Sequence, residues 1–274
     1  MMQPATRKER LCVLCACLAQ NPNRLYPLSY FSELLGAAKS TLSEDISMIR
    51  EAFSSRGIGE IEVLLGAGGG VRFLPSLSAP KAEQALEEIA RKLESPARIL
   101  PGGFLYTADI FFAPEHVEKM AKILWGYFRS ANPDFIITVE TKGIPLAASV
   151  ARLFNRPLVL ARKESKLTEG SVVTINYLSG SSKRMQTMSL SKRAVREGQR
   201  ALIIDDFLAG GGTVRAICEM MKEFGAIVVG CGVAIATRQP EVKRIEQYKS
   251  LMILEQIEEE QQRVRISVNL PQNQ

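Results

Sequence analysis

Between Ala201 and Thr213 the chain reads Ala-Leu-Ile-Ile-Asp-Asp-Phe-Leu-Ala-Gly-Gly-Gly-Thr, and few folds accommodate such a run. Four apolar residues predict a buried strand over Ala201–Ile204, two carboxylates mark its end, and glycines lead into a helix predicted over Thr213–Phe224. A strand that turns through glycines into a helix aims several backbone N–H groups at one point, at the positive end of the helix dipole. The amides of Ala209, Gly210, Gly211, Gly212 and Thr213, with the Thr213 hydroxyl, can therefore surround a phosphate. Asp205 and Asp206 stand at the strand's carboxyl edge, where open α/β sheets bind ligands. They can accept bonds from ribose hydroxyls or support a metal-bound ligand. A sugar phosphate suits both halves of the run.

The surroundings fit a mainly parallel sheet flanked by helices. Strands are predicted over Asp134–Glu140, Leu158–Ala161 and Ile227–Ala236, with a helix over Gly143–Phe154. The acidic run Glu258–Glu260 and the tail through Gln274 read as a solvated end.

The first part of the chain has a different pattern. Leu74–Pro80, with two prolines and two serines, marks a boundary, so residues 1–75 and 76–274 are expected to form separate domains. Residues 81–95 form a polar, helix-favouring stretch that connects the two parts. Before the boundary, residues 6–20 carry Leu11, Leu14, Cys15 and Leu18 on one helical face. Ser29 can cap a second helix bearing Phe31, Leu34 and Leu35, and Gly36 makes a tight turn. A third helix over Lys39–Phe53 buries the stripe Leu42, Ile46, Ile49 and Phe53, with Thr41 and Glu44 at capping-box spacing. Short strands over Glu60–Leu65 and Val71–Leu74 flank the glycine run 66–70. That run lacks the Gly-Lys-Ser/Thr of a P-loop and no long helix follows it, so it reads as a hairpin tip.

Helix, helix, glycine turn, helix and hairpin is the order of a winged helix-turn-helix. The fold expected overall is α/β with an N-terminal α+β domain. A recognition helix buries one face and offers short polar side chains to the major groove. Lys39, Ser40, Thr41 and Ser43 lie on or near that free face, and Arg72 beside the wing can reach a backbone or a minor groove.

Charge permits this reading without requiring it. The chain carries a net +6, but its first 75 residues hold eight Lys/Arg against seven Asp/Glu, so the excess lies mainly in the second part. Lys163, Lys166, Lys183 and Arg184 there are possible further DNA contacts. Five cysteines and one histidine, His116, are too few and too scattered for a zinc site or a disulfide framework. The cysteines are expected to pack in the interior of helices and His116 to lie on a helix surface. Neither a catalytic residue nor a protein-bound metal is expected. The longest apolar run, Ala226–Ala236, is too short to span a bilayer, and Asn21, Pro22 and Asn23 interrupt any leader-like core, so a cytoplasmic protein without a membrane partner is expected.

The 201–213 run resembles the 5-phosphoribosyl 1-pyrophosphate (PRPP) signature of type I phosphoribosyltransferases. The resemblance implies that Thr141, Lys142 and Gly143, which follow a strand, hold the diphosphate. It also implies that Arg162-Lys163-Glu164 begins a mobile loop in which Lys163 reaches the same group. A winged helix joined to such a domain resembles the purine operon repressor family of Gram-positive bacteria. The stretches Leu100–Gly103, Thr168–Ser171, Ile175–Tyr177, Ser179–Ser182 and Leu190–Arg193 carry that likeness further.

The family implies a homodimeric repressor of purine biosynthesis and transport genes that binds a double-stranded operator. PRPP, with Mg2+ bound to it, acts as inducer and weakens DNA binding; no other cofactor is required. The two phosphate sites also suit a competing purine nucleotide carrying a pyrophosphate, such as guanosine tetraphosphate. Phe207 can stack on its base or serve the core. The alternative reading is an active purine phosphoribosyltransferase that transfers ribose 5-phosphate from PRPP to a purine base.

Overall fold

The computed structural model describes residues 5–163, 170–178 and 185–270. They fall into two compact units: residues up to Ser78 with Arg152–Asn155, and Ala79–Ala151 with the chain from Arg156 onward.

The first unit holds helices α1 (Arg7–Gln20), α2 (Leu28–Leu35) and α3 (Lys39–Arg56), then an antiparallel hairpin of β1 (Glu60–Leu64) and β2 (Gly70–Leu74). Leu14 and Leu18 of α1, Phe31 and Leu35 of α2, and all four stripe residues of α3 meet Ile61, Val71 and Phe73 of the hairpin in one core. Thr6 starts α1 with a full capping box. Its hydroxyl accepts the Glu9 N–H at 3.4 Å, and the Glu9 carboxylate accepts the Thr6 N–H at 2.7 Å. The caps expected for the other helices do not form. Helix α2 begins after Pro27, whose fixed φ sets the entry, so Ser29 lies inside the first turn. Helix α3 begins after Ala38, which leaves Thr41 inside the helix and not at its cap.

The second unit runs through α4 (Ala79–Leu93), β3 (Ile99–Leu100), β4 (Phe104–Leu105), α5 (Ala108–Phe111), α6 (Pro114–Phe128), β5 (Phe135–Val139), α7 (Ile144–Phe154), β6 (Leu158–Ala161), β7 (Val172–Leu178), β8 (Met185–Ser191), β9 (Arg200–Leu208), α8 (Gly212–Glu223), β10 (Ile227–Thr237), β11 (Lys249–Glu258) and β12 (Arg263–Val268). A six-stranded sheet has the order β12-β11-β10-β9-β5-β6, parallel except for β12. All of β5 and residues 201–205 of β9 are buried, as parallel strands covered on both faces must be.

Five further expectations need correction, the last that the cysteines pack inside helices. Strand β9 continues through both aspartates to Leu208, so the carboxylates sit within it and not beyond it. Residues 263–268 are not a solvated tail. They form the edge strand β12, in which Val264 and Ile266 alternate inward from Arg263 and Arg265. The supposed connector folds as α4 and buries Ala82, Ala85, Leu86, Ile89, Ala90 and Leu93 in the second unit. His116 lies in α6 but is buried beside α4, its Nε2 3.1 Å from Lys92 Nζ, and burial depresses its pKa. Of the cysteines, Cys12 is exposed, Cys15, Cys17 and Cys218 are half-buried, and Cys231 is buried in a strand.

Candidate functional site

At the carboxyl edge of the sheet a cavity of about 440 Å³ opens where β5 and β9 end side by side. It is lined by Asp205–Leu208 of β9, the loop Ala209–Gly211, Gly212 and Thr213 of α8, and Thr141 and Lys142 after β5. Lys163 also lines it, so ten of the eleven residues expected at an effector site surround a single space. The exception is Gly143, which stands behind Asp205. A Cβ there would come within 2.5 Å of Asp205 Oδ1 and 2.6 Å of Thr138 Oγ1, so only glycine lets the loop after β5 close against β9. The Glu140–Thr141 peptide, just after β5, is cis.

The electrostatics are unusual for an open pocket. Burial, and then the charge of Asp206, push the Asp205 carboxyl well above the usual carboxylate range, against the pull of Lys163. Burial also raises Asp206, opposed by its hydrogen bond with Asp205 and by the charge of Lys142. Asp205 Oδ1 accepts the Asp206 N–H at 3.0 Å. Gly211, at φ 76°, starts α8 with no side-chain cap, so the amides of the first turn face the cavity unoccupied by a protein acceptor from a capping side chain. Carboxylates, backbone amides and lysines thus line one space. The set fits a ligand with hydroxyls to donate and phosphates to be gripped.

Three polar lining residues escaped the sequence reading, besides the apolar Val139, Leu208 and Val214. Glu140 accepts from Arg162 Nη1 at 3.4 Å and from the Lys163 N–H at 3.0 Å, holding the start of the loop after β6 beside the pocket. Tyr177 of β7 donates to Gln186 Oε1 of β8 at 2.9 Å, and both face the cavity from an antiparallel hairpin. Burial raises the Tyr177 phenol, with a bond to the Thr213 hydroxyl opposing it. Phe207 is half-buried in the cavity wall. With Asp206, Glu140 supplies hard oxygen donors of the kind Mg2+ takes. A second group of donors, Glu88, Glu115 and His116, already holds a cation in Lys119, whose Nζ lies 3.0 Å from Glu88 and 2.8 Å from Glu115.

In the first unit Lys39, Ser40 and Ser43 are exposed at the start of α3 and Thr41 is half-buried. The Ser43 hydroxyl donates to the Lys39 carbonyl at 2.9 Å. Arg72 lies on β2 with its guanidinium on Glu62 of β1. What orients α3 is Asp45, 1% exposed, whose carboxylate meets Arg10 Nε at 2.6 Å and Arg7 Nε at 3.4 Å, both on α1. A signal existed: Asp45 falls on the stripe of Leu42, Ile46 and Ile49, and a carboxylate on a buried face requires a cation. Lys166, Lys183 and Arg184, with Thr168 and Glu169 of the stretch Thr168–Ser171 and the whole of Ser179–Ser182, lie outside the described residues. No helix among those described is long and apolar enough to cross a membrane.

Comparison with known proteins bears on both units. Residues 6–75 match the family described as bacterial purine repressor, N-terminal, and residues 107–266 match the phosphoribosyl transferase domain. The chain is 41% identical over 260 residues to the purine biosynthesis transcriptional repressor of Bacillus subtilis, covering 95% of this chain and 91% of that one. It is 36% identical over 252 residues to the purine biosynthesis transcriptional activator of Lactococcus lactis subsp. lactis, covering 92% and 93%. In structure it is similar to the adenine phosphoribosyltransferase of Thermoanaerobacter pseudethanolicus, with a TM-score of 0.51 at 24% identity over 61% of this chain and 98% of that one. That likeness concerns the fold.

Proposed function

We propose a mode of action from a fixed starting point: the chain belongs to the bacterial purine repressor family. It is a DNA-binding transcriptional regulator built on a phosphoribosyltransferase fold, since the relatives matched over the whole chain are regulators. In this reading it works in the cytoplasm as a homodimer and represses purine biosynthesis and transport genes. Helix α3 enters the major groove of an operator, with Lys39, Ser40, Thr41 and Ser43 at its leading end. PRPP, carrying Mg2+ on its diphosphate, is the inducer.

The observation that carries the reading is the single cavity that gathers acids, amides and lysines in complementary places. Asp205 and Asp206 accept the ribose hydroxyls. The amides of Ala209–Thr213 grip the 5-phosphate at the start of α8. Thr141 and Lys142 hold the diphosphate, and Lys163 reaches it from the opposite side. The Mg2+ offsets charge that the acids of the pocket would otherwise repel. A purine nucleotide bearing a pyrophosphate uses the same two phosphate subsites, so it competes with PRPP and leaves repression in place. Coupling to DNA requires that PRPP bind the DNA-free state more tightly than the DNA-bound one.

The test is titration of the full chain onto a fragment upstream of the host's purine biosynthesis genes, with and without PRPP and Mg2+. Specific binding that PRPP weakens, and that Asp206→Ala makes indifferent to PRPP, is the expected result. Binding that ignores PRPP in the wild type would sink the assignment of the inducer. Nucleotide formed from PRPP and a purine base would restore the transferase reading. Because one relative is named an activator, transcription in vitro decides the sign: lower output with bound protein supports repression.

A further inference from the structure

The tip of the β1–β2 hairpin carries Leu65, which at 93% exposure is the most exposed large apolar side chain among the described residues. Leu64 and Val63 beside it are each 40% exposed. From Val63 to Val71 the chain has no charged residue, and the nearest cation, Arg72, is neutralised by Glu62 across the hairpin. Side chains that grip phosphates are cationic or polar; from Val63 to Val71 this wing has neither.

The hairpin is held stiffly from below. Tyr26 and Val71 exchange backbone bonds, Tyr26 N–H to the Val71 carbonyl at 2.9 Å and Val71 N–H to the Tyr26 carbonyl at 2.8 Å. A Cβ on Gly70 would collide with that same Tyr26 carbonyl. Phe73 stacks edge-on against Phe53 of α3, centroids 5.5 Å apart, which ties the wing to the recognition helix. Above this base the tip is thin. The Gly69 N–H donates to the Gly66 carbonyl at 2.9 Å, and nothing lies within 4 Å of where a Cβ on Gly66 or Gly68 would stand. A narrow, uncharged projection on a firmly held base, ending in one branched aliphatic side chain, has the form of an apolar wedge, the kind that DNA-bending proteins insert between base steps in a minor groove about 6 Å wide.

We propose that Leu65 is such a wedge: with α3 in the major groove, the wing enters the adjacent minor groove and Leu65 presses between base steps, bending the operator. This rests on the DNA-binding reading above. It places the wing's contribution in apolar contact and deformation, where sequence is read through the ease of opening a step, and not in phosphate contact.

The experiment uses the full chain and the same upstream fragment, labelled at both ends for energy transfer so that binding and bending are read together over a series of salt concentrations. Leu65→Ser is expected to bind about 10- to 100-fold more weakly at every salt concentration, the effect of losing one buried aliphatic side chain. It should bend the fragment less and keep the wild-type dependence of affinity on salt. Leu65→Met should recover most of both. Lys39→Ala, by contrast, should lower the salt slope by about one phosphate and leave the bend unchanged. Thermal melting of Leu65→Ser at the wild-type temperature would show that the domain is intact. Wild-type affinity and bend in Leu65→Ser would overturn the wedge, as would a fall in its salt slope or a changed oligomeric state with the bend intact. Failure of the wild type to prefer the fragment over unrelated DNA would instead remove the DNA-binding reading, and the wedge with it.

Discussion

The two units bury charge in opposite ways. In the DNA-binding unit Asp45 is sealed at 1% exposure, with Arg10 2.6 Å and Arg7 3.4 Å from its carboxylate. In the other unit Asp205 is nearly as deep, at 6% exposure, yet among the described residues no lysine or arginine reaches it at ion-pair distance, and its nearest charged neighbour is another acid. The first arrangement is closed: donors of α1 answer an acceptor of α3, and the geometry of the recognition helix is fixed. The second is open, and a polyhydroxylated ligand arriving with a metal can complete it. A buried carboxylate on its own thus indicates neither structure nor function; the company it keeps decides between them.

The contrast can be broken in several ways. The largest effect belongs to Asp45→Ala, which leaves the Arg10 guanidinium, 12% exposed, without its carboxylate while Arg7 stays in solvent, and should destabilise the DNA-binding unit by about 3 kcal/mol. Chemical denaturation measures it, and calorimetry should show effector affinity unchanged; loss of both would mean that Asp45 is not confined to its own unit. Next comes Gly143→Ala, whose methyl must displace Asp205 or Thr138. Overpacking of this kind costs about 1–3 kcal/mol, and here it should appear as weaker PRPP binding with DNA affinity retained.

The third test is of pH. Asp205 has a folded pKa raised above its ordinary 3.8, so the folded state holds its proton more tightly than the unfolded one does. Stability from this group is full below pH 3.8 and drains away as pH rises through the raised value. Unfolding of the unliganded protein at successive pH values should show that decline, and Asp205→Asn should flatten it. A slope unaltered in the variant would mean that Asp205 is not the group whose proton the folded state holds more tightly. The smallest effect is Thr6→Ala, which removes the cap of α1 and should cost the DNA-binding unit about 1 kcal/mol, without the loss of α3 orientation that Asp45→Ala brings.

Much of the candidate site was legible because its chief part is contiguous. A strand, two acids, a glycine loop and a helix start all fall within Ala201–Thr213, so adjacency in sequence already implies adjacency in space. Tyr177, Gln186 and Glu140 come from three other elements, and no local pattern states that a β7–β8 hairpin folds against the mouth of the pocket. The three helices and hairpin of the first unit were legible from the periodic stripe of α3, whereas the caps were misplaced because Ser29 and Thr41 have cap chemistry without cap geometry. Strand β12 shows how one signal hides another. Arg-Val-Arg-Ile-Ser-Val alternates with the period of an edge strand, but the acidic run before it draws attention to solvent. His116 was misread for a simpler reason: a single residue between Glu115 and Val117 carries no period, and the packing of α4 on α6 decides its burial.

The two best-formed helix starts in the molecule differ in what they withhold. Helix α1 is finished by its own side chains, Thr6 and Glu9, and asks nothing of its surroundings. Helix α8 begins at Gly211, a left-handed residue with Ile245 Cγ2 3.1 Å and the Arg244 nitrogen 3.3 Å from where a Cβ would stand, so a serine or aspartate cap is sterically unwelcome there. An anionic ligand is then, in structural terms, the capping residue that the polypeptide omits. A ligand that capped α8 would complete its first turn, and by mass action would firm that turn in step with its concentration relative to its Kd.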